Sequence, residues 1–202
     1  MTKTQTLVLG TRNLKKRGEL EDLLQLPTLT LQTLEDYPDA PEVEEDGRTF
    51  MANAEKKGIV LAKALGRWVL GEDSGLCVDA LGGAPGVYSA RFAGDPRDDE
   101  RNNELLLEKL REVPDEKRTA HYVCTAAVVD PAGVVRARAE GRCDGVILRR
   151  RRGQGGFGYD PLFLIVDQGA TFGELSLEFK HTRSHRAAAM RLLRPQLLEL
   201  FR

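Results

Sequence analysis

One stretch constrains this chain more than any other. Trp68-Val69-Leu70 is an apolar run of the kind a sheet buries, and it leads directly into Gly71-Glu72-Asp73-Ser74-Gly75. Two adjacent carboxylates and a hydroxyl stand between two glycines. The run reads as a strand that ends there, with the backbone turning at Ser74-Gly75. Acids at a strand end, carried on a loop, are where α/β folds keep reactive groups. Carboxylate oxygens suit Mg²⁺, which keeps several waters and binds phosphates, so the pair suggests a divalent metal with an activated water. Successive side chains of an extended segment point to opposite faces, so Glu72 and Asp73 share a metal only if the backbone turns. The plain alternative is a surface turn with solvated acids.

The rest of the chain narrows the class. Its 202 residues suffice for one domain with two lobes. A formal net charge of −1 argues against bulk binding to nucleic acid or an anionic membrane. No apolar run reaches the roughly 18 residues of a membrane helix. Met1 to Gln5 lacks the apolar core of a signal peptide. Cys77, Cys124 and Cys143 are odd in number, far apart and without a CxxC, which fits reduced thiols in a cytoplasm.

The periodicity predicts an α/β order. Thr6–Leu9 reads as a strand, Gly10-Thr11-Arg12-Asn13 as a polar turn and Leu14–Leu26 as a helix. A helix start of this kind, with Thr11, Asn13, Lys15 and Lys16 beside it, favours phosphate, although no Walker A loop is present. Thr28–Leu34 alternates as a second strand, and Glu35–Gly47 is an acidic loop. Thr49–Leu65 is a helix ended by Gly66, with Thr49, Asn53 and Lys57 on one polar stripe. Val87–Phe92 reads as extended, and Asp98–Val113 as a covering helix with no chemistry. Ala120–Val129 and Val134–Arg142 form a hairpin around Asp130-Pro131-Ala132-Gly133, Val146–Leu148 is a further strand, and Leu162–Val166 another. A last helix runs from Ser184 to Phe201, with a kink or break expected near Arg194 because of Pro195.

Two later stretches carry chemistry. Gly153–Pro161 holds four glycines, which permit close backbone approach to a ligand. Phe157 and Tyr159 offer flat faces for a nucleobase, and Asp160 is a fixed acceptor. In Ser184-His185-Arg186 two basic groups sit in the first turn of a helix, where the dipole disfavours them unless an anion or polar ligand is near. Arg149–Arg152 is a basic run, read as solvated.

Five segments in order resemble one family. They are Thr11-Arg12-Asn13-Leu14-Lys15-Lys16, Glu72-Asp73-Ser74-Gly75, Leu81–Arg91, Phe157-Gly158-Tyr159-Asp160, and Lys180 with Ser184-His185-Arg186. Together they resemble the inosine triphosphate pyrophosphatases, the non-canonical purine nucleoside triphosphate diphosphatases, in their bacterial branch. The resemblance runs end to end. It implies an α/β fold with a long central mixed β-sheet flanked by helices, and two lobes with an active-site cleft between them. It implies Mg²⁺-dependent hydrolysis of ITP, dITP and XTP to the monophosphate and pyrophosphate, by a cytoplasmic homodimer. By position Asp73 matches the general base and a metal ligand. Glu72 and one of Glu44 or Glu45 match the acids around the metal. Thr11, Arg12, Asn13, Leu14, Lys15, Lys16, Lys57, Ser74, Arg91, Lys180 and Arg186 match groups that hold substrate. Phe157, Gly158, Tyr159, Asp160 and His185 match the base pocket. The chain departs from the pattern at Arg12, where glycine is usual, and at Glu72, where aspartate is frequent. Of the two lysines, Lys16 is the better match. Other readings are a pyrophosphatase for a pyrimidine or modified nucleotide, a sugar-nucleotide transferase, and an RNA-binding module built on Arg149–Arg152.

Overall fold

The structure, a computed structural model, describes residues 5–202. Met1–Thr4, where the reading of a leader-free start falls, lie outside the described residues. Seven strands form one mixed sheet in the order β2-β1-β3-β4-β5-β6-β7. They are β1 Gln5–Leu9, β2 Leu29–Thr33, β3 Trp68–Val78, β4 Thr119–Val129, β5 Val135–Ile147, β6 Phe163–Ile165 and β7 Ala170–Thr171. β1 pairs in parallel with both β2 and β3, whereas β6 runs antiparallel to β5 and β7. The helices are α1 Leu14–Leu23, α2 Phe50–Leu65, α3 Asp99–Lys109, α4 Leu177–Arg183 and α5 His185–Leu200. No helix among the described residues is long and apolar enough to cross a membrane.

Local chemistry sets the helix ends. Asn13 caps α1 by accepting the Lys15 and Lys16 N–H groups, and Thr49 caps α2 by accepting that of Ala52. Gly66 closes α2 in the left-handed conformation.

The chain divides into two compact units. The first comprises the chain to Asp73, Cys124–Gly141 and Arg186–Arg202. Its strands follow a period of two. Leu7, Leu9, Leu70 and Cys124 pack with Leu20 of α1 and with Leu193 and Leu197 of α5. Val8, Val69 and Val129 pack on the other face with Leu61 and Ala62 of α2. The second unit, Ser74–Val123 with Arg142–His185, has a core of Leu76, Leu106, Leu110, Tyr122, Phe163 and Phe172.

Four sequence expectations change. The backbone does not turn at Glu72-Asp73, since β3 runs through both to Val78. Val87–Phe92 is not extended; a 3₁₀ segment spans Gly86–Arg91, held by the Ser89 hydroxyl, which donates to the Gly86 carbonyl and accepts the Leu76 N–H. Val146 and Ile147 continue β5 instead of starting a strand. Of the kink or break expected near Arg194, no break occurs: α5 runs on through Pro195, with Met190 and Leu193 before it and Leu197 after it buried in one core. That burial outweighs the roughly 3 kcal/mol that an interior proline costs.

Gly71 fixes how near α2 comes to β3. A Cβ there would lie 2.0 Å from the Ala54 carbonyl oxygen and 2.8 Å from the Gly58 nitrogen. Backbone cannot yield as a side-chain tip can. Gly71→Ala is therefore expected to destabilise the protein by about 3 kcal/mol or more, read as a lowered urea midpoint with unchanged slope.

Candidate active site

The alternation seen in Val69 and Leu70 continues along β3. Glu72 follows Leu70 toward α1 and α5, and Asp73 follows Gly71 toward α2. Both are buried. Glu72 accepts from Lys16 Nζ at 3.1 Å, from Arg186 Nη2 at 2.9 Å and from the Cys124 thiol at 3.3 Å. Arg186 also bonds Glu19, which the sequence reading did not single out. The result is a buried chain of charge from Glu19 through Arg186 and Glu72 to Lys16. Burial opposes the Arg186 charge, but the carboxylates of Glu72 and Glu19 outweigh it, so the guanidinium holds its proton more firmly than usual. Burial, followed by the Glu72 charge, pushes the Cys124 thiol well up, so it stays protonated and donates.

Asp73 accepts from Asn53 Nδ2 at 2.9 Å. Burial holds its carboxyl above the ordinary range; Lys16 and Asn53 oppose the rise, and Glu45 and Glu72 add to it. Lys57 donates to the Glu72 carbonyl at 2.9 Å and pairs with Glu45 at 2.5 Å. The polar stripe on α2 thus faces the acids of β3, with Thr49 serving as cap. Of the two acids left open by sequence, Glu45 is tied to Lys57, whereas Glu44 is exposed.

Thr11 and Asn13 shape the turn before α1. The Thr11 hydroxyl accepts the Asn13 N–H, and Asn13 in turn caps the helix. Arg12 reaches away to the Ala40 carbonyl at 2.8 Å. Leu14 is exposed, and so is Lys15, whose N–H is bound by Asn13.

Within the second unit, Asp160 accepts from Lys180 Nζ at 2.9 Å and from the Phe157 N–H at 2.9 Å. Lys180 Nζ also lies 5.0 Å from the centre of the half-buried Phe157 ring. Tyr159 is not an open face for stacking. It is buried in the core, and its hydroxyl donates to the Ser89 carbonyl at 2.8 Å. His185 stacks on Tyr122 with ring centres 4.7 Å apart. Arg91 lies over the exposed Tyr88 ring, and Ser74 is half-buried on β3.

The donor set suits a hard divalent cation. The Asp73 carboxyl feels the carboxylates of Glu45 and Glu72 and the cation of Lys16. Glu72 already serves two cations and the thiol, which leaves Asp73 and Glu45 as the better oxygen donors. Among the described residues no three His, Cys, Asp or Glu side chains gather at metal-binding separation. An ion here would therefore complete its shell with water and phosphate oxygens, as Mg²⁺ commonly does.

The sequence matches the Ham1 family over residues 7–196. It is 53% identical over 200 residues to the dITP/XTP pyrophosphatase of Rhodopirellula baltica, covering 99% of this chain and 96% of that one. It is 52% identical to the dITP/XTP pyrophosphatase of Geobacter sulfurreducens, covering 95% and 96%. The solved structure of a HAM1 protein from Coxiella burnetii superposes with a TM-score of 0.88 at 34% identity, covering 96% and 99%. That of the Staphylococcus aureus Ham1 protein gives 0.86 at 37%, covering 97% and 100%.

Arg186 is the linchpin of the buried charges. Arg186→Met leaves Glu19 and Glu72 in the interior without their shared guanidinium. It is expected to destabilise the protein by about 3–5 kcal/mol, measured by urea denaturation.

Proposed function

Since the chain belongs to the Ham1 family, we propose that it hydrolyses dITP, XTP and ITP to the nucleoside monophosphate and pyrophosphate. The observation that carries this reading is Asp73, a buried carboxylate of raised pKa held by Asn53 in a cluster that contains two lysines. Such a group is suited to hold a water or take its proton at neutral pH. Mg²⁺, which Asp73 and Glu45 would hold, supplies charge neutralisation and a more acidic water when bound.

The residues of the chain then divide the work. Asn53 fixes the Asp73 carboxylate through a hydrogen bond to Oδ2. Asp73 orients the attacking water and accepts its proton as the water adds to phosphorus and pyrophosphate leaves. Lys16 and Lys57 are cations for the triphosphate, each preorganised on a carboxylate or carbonyl. The α1 N-terminus, shaped by Thr11 and Asn13, offers N–H groups to phosphate. Phe157, Gly158 and Asp160 serve the base, with Lys180 bound to Asp160 and His185 stacked on Tyr122. A donor aimed at a 6-oxo group accepts hypoxanthine and xanthine and meets the adenine amino group donor to donor. Such a mismatch costs about 1–3 kcal/mol. Tyr159 and Arg186 support the site through the core rather than by touching the base. The protein works in the cytoplasm as a homodimer, without nucleic-acid or membrane partners.

Pyrophosphate release from dITP, XTP, ITP, ATP, GTP and dTTP tests this directly, with Mg²⁺ and with EDTA. Release confined to the first three, and abolished by EDTA, is expected; orthophosphate as product, or equal release from all six, would contradict it. Asp73→Asn is expected to lower kcat by about 10²–10⁴-fold. Turnover within a few-fold of wild type would remove Asp73 from its role.

A further inference from the structure

The sequence suggested that α3 covers the core and does nothing else. Its first two turns hold the loops of the second unit. Asn103 Nδ2 donates to the Gly158 carbonyl at 2.8 Å and to the Asp99 carbonyl at 2.7 Å. The Asp99 carboxylate accepts the Gly158 N–H at 2.8 Å. Both polar backbone atoms of Gly158 are therefore gripped from one helix. Gly158 lies between Phe157 and Tyr159 with φ of +59°, a conformation that glycine adopts readily and other residues avoid. Asn102 does the same for the segment that carries Arg91. It donates to the Ala90 carbonyl at 3.2 Å and accepts the Ala93 N–H at 2.8 Å.

One detail separates this from ordinary packing. Asn103 is buried, and its Oδ1 has no hydrogen-bond partner. The amide cannot be reversed to relieve it, because Nδ2 faces two carbonyl oxygens. A buried acceptor left alone is a liability that an apolar side chain of like shape would avoid. What the amide provides in return is the hold on Gly158.

We propose that Asn103 and Asp99 are positioning residues for purine recognition. By fixing the peptide planes on both sides of Gly158, they set the attitude of the half-buried Phe157 ring and of the N–H groups around it. This rests on the proposed function above and assigns its base selectivity in part to a helix that touches no substrate.

Three variants test it: Asp99→Ala, Asp99→Asn and Asn103→Ala. Asp99 is exposed at the helix start, so Asp99→Ala should fold even where Asn103→Ala is weakened. Asp99→Asn keeps an acceptor for the Gly158 N–H. Steady-state kinetics with XTP and GTP are read beside amide hydrogen exchange across Phe157–Asp160 in the substrate-free protein. For the two alanine variants, KM for XTP should rise about fivefold to tenfold, with kcat within about threefold of wild type. Their preference for XTP over GTP should fall, and exchange at Gly158 should quicken about tenfold. Asp99→Asn should behave as wild type in all of these. Unchanged exchange would show that no clamp exists. Faster exchange with unchanged KM and preference would show a clamp with no part in recognition. Either overturns the proposal while wild-type turnover of XTP still upholds the functional reading. A wild type inactive on XTP and dITP would sink both.

Discussion

Two adjacent carboxylates are buried in mid-strand, and the first unit is arranged so that each survives there. A lone carboxylate moved from water into a protein interior is heavily penalised unless cations or N–H donors meet it. On β3 the period of two sends Glu72 to one helical layer and Asp73 to the other. Each layer must therefore bring its own partners. α5 brings Arg186 and α1 brings Lys16 to Glu72, while α2 brings Asn53 to Asp73. Gly71, with no side chain, lets α2 approach closely enough to do so. The two acids consequently have different characters. Glu72 is bound by cations and anchors the layer, whereas Asp73 is held by a neutral amide and keeps a raised pKa.

The same arrangement explains an anomaly in the sequence. Basic residues in the first turn of a helix oppose its dipole, and Ser184-His185-Arg186 suggested a ligand to compensate. For Arg186 the compensation comes from within the protein, from Glu72 and Glu19. Glu19 is more than 160 residues away in sequence, and its only local signal is a carboxylate on the apolar side of α1, near Leu20. Cys124 offers even less: one thiol in an apolar strand, donating to Glu72 across the sheet. Pairings of this range leave no pattern in a single chain.

Where one element carried both partners or a strict period, the sequence was legible. α2 showed its stripe of Asn53 and Lys57 and its closing glycine, and these stand as read, whereas Thr49, read on the same stripe, is the cap. Most of the elements from β1 to β5 followed from alternation and turn residues, whereas the mixed sheet was implied by the family resemblance. The glycine loop at Gly153–Pro161 was conspicuous, but the fate of its two aromatics was not. Phe157 and Tyr159 look alike in sequence; a core contact and the Ser89 carbonyl claim Tyr159. The reading of a turn at Ser74-Gly75 failed because glycine permits a turn without requiring one. In β3 Gly71 relieves crowding against α2, and the strand goes on through Ser74 and Gly75 to Val78.

The basic run at Arg149–Arg152 shows the opposite error, a conspicuous feature with a modest use. Arg149 pairs with Asp115 at 2.6 Å and donates to the Arg111 and Val113 carbonyls. Arg151 pairs with Glu100, and Arg152 with Glu174 at 3.0 Å. Exposed pairs of this kind each add about 0–1 kcal/mol to stability. They engage Arg149, Arg151 and Arg152, while Arg150 is exposed. The charges with chemical consequence are the few in the interior. There cations hold Glu72 and an amide holds Asp73.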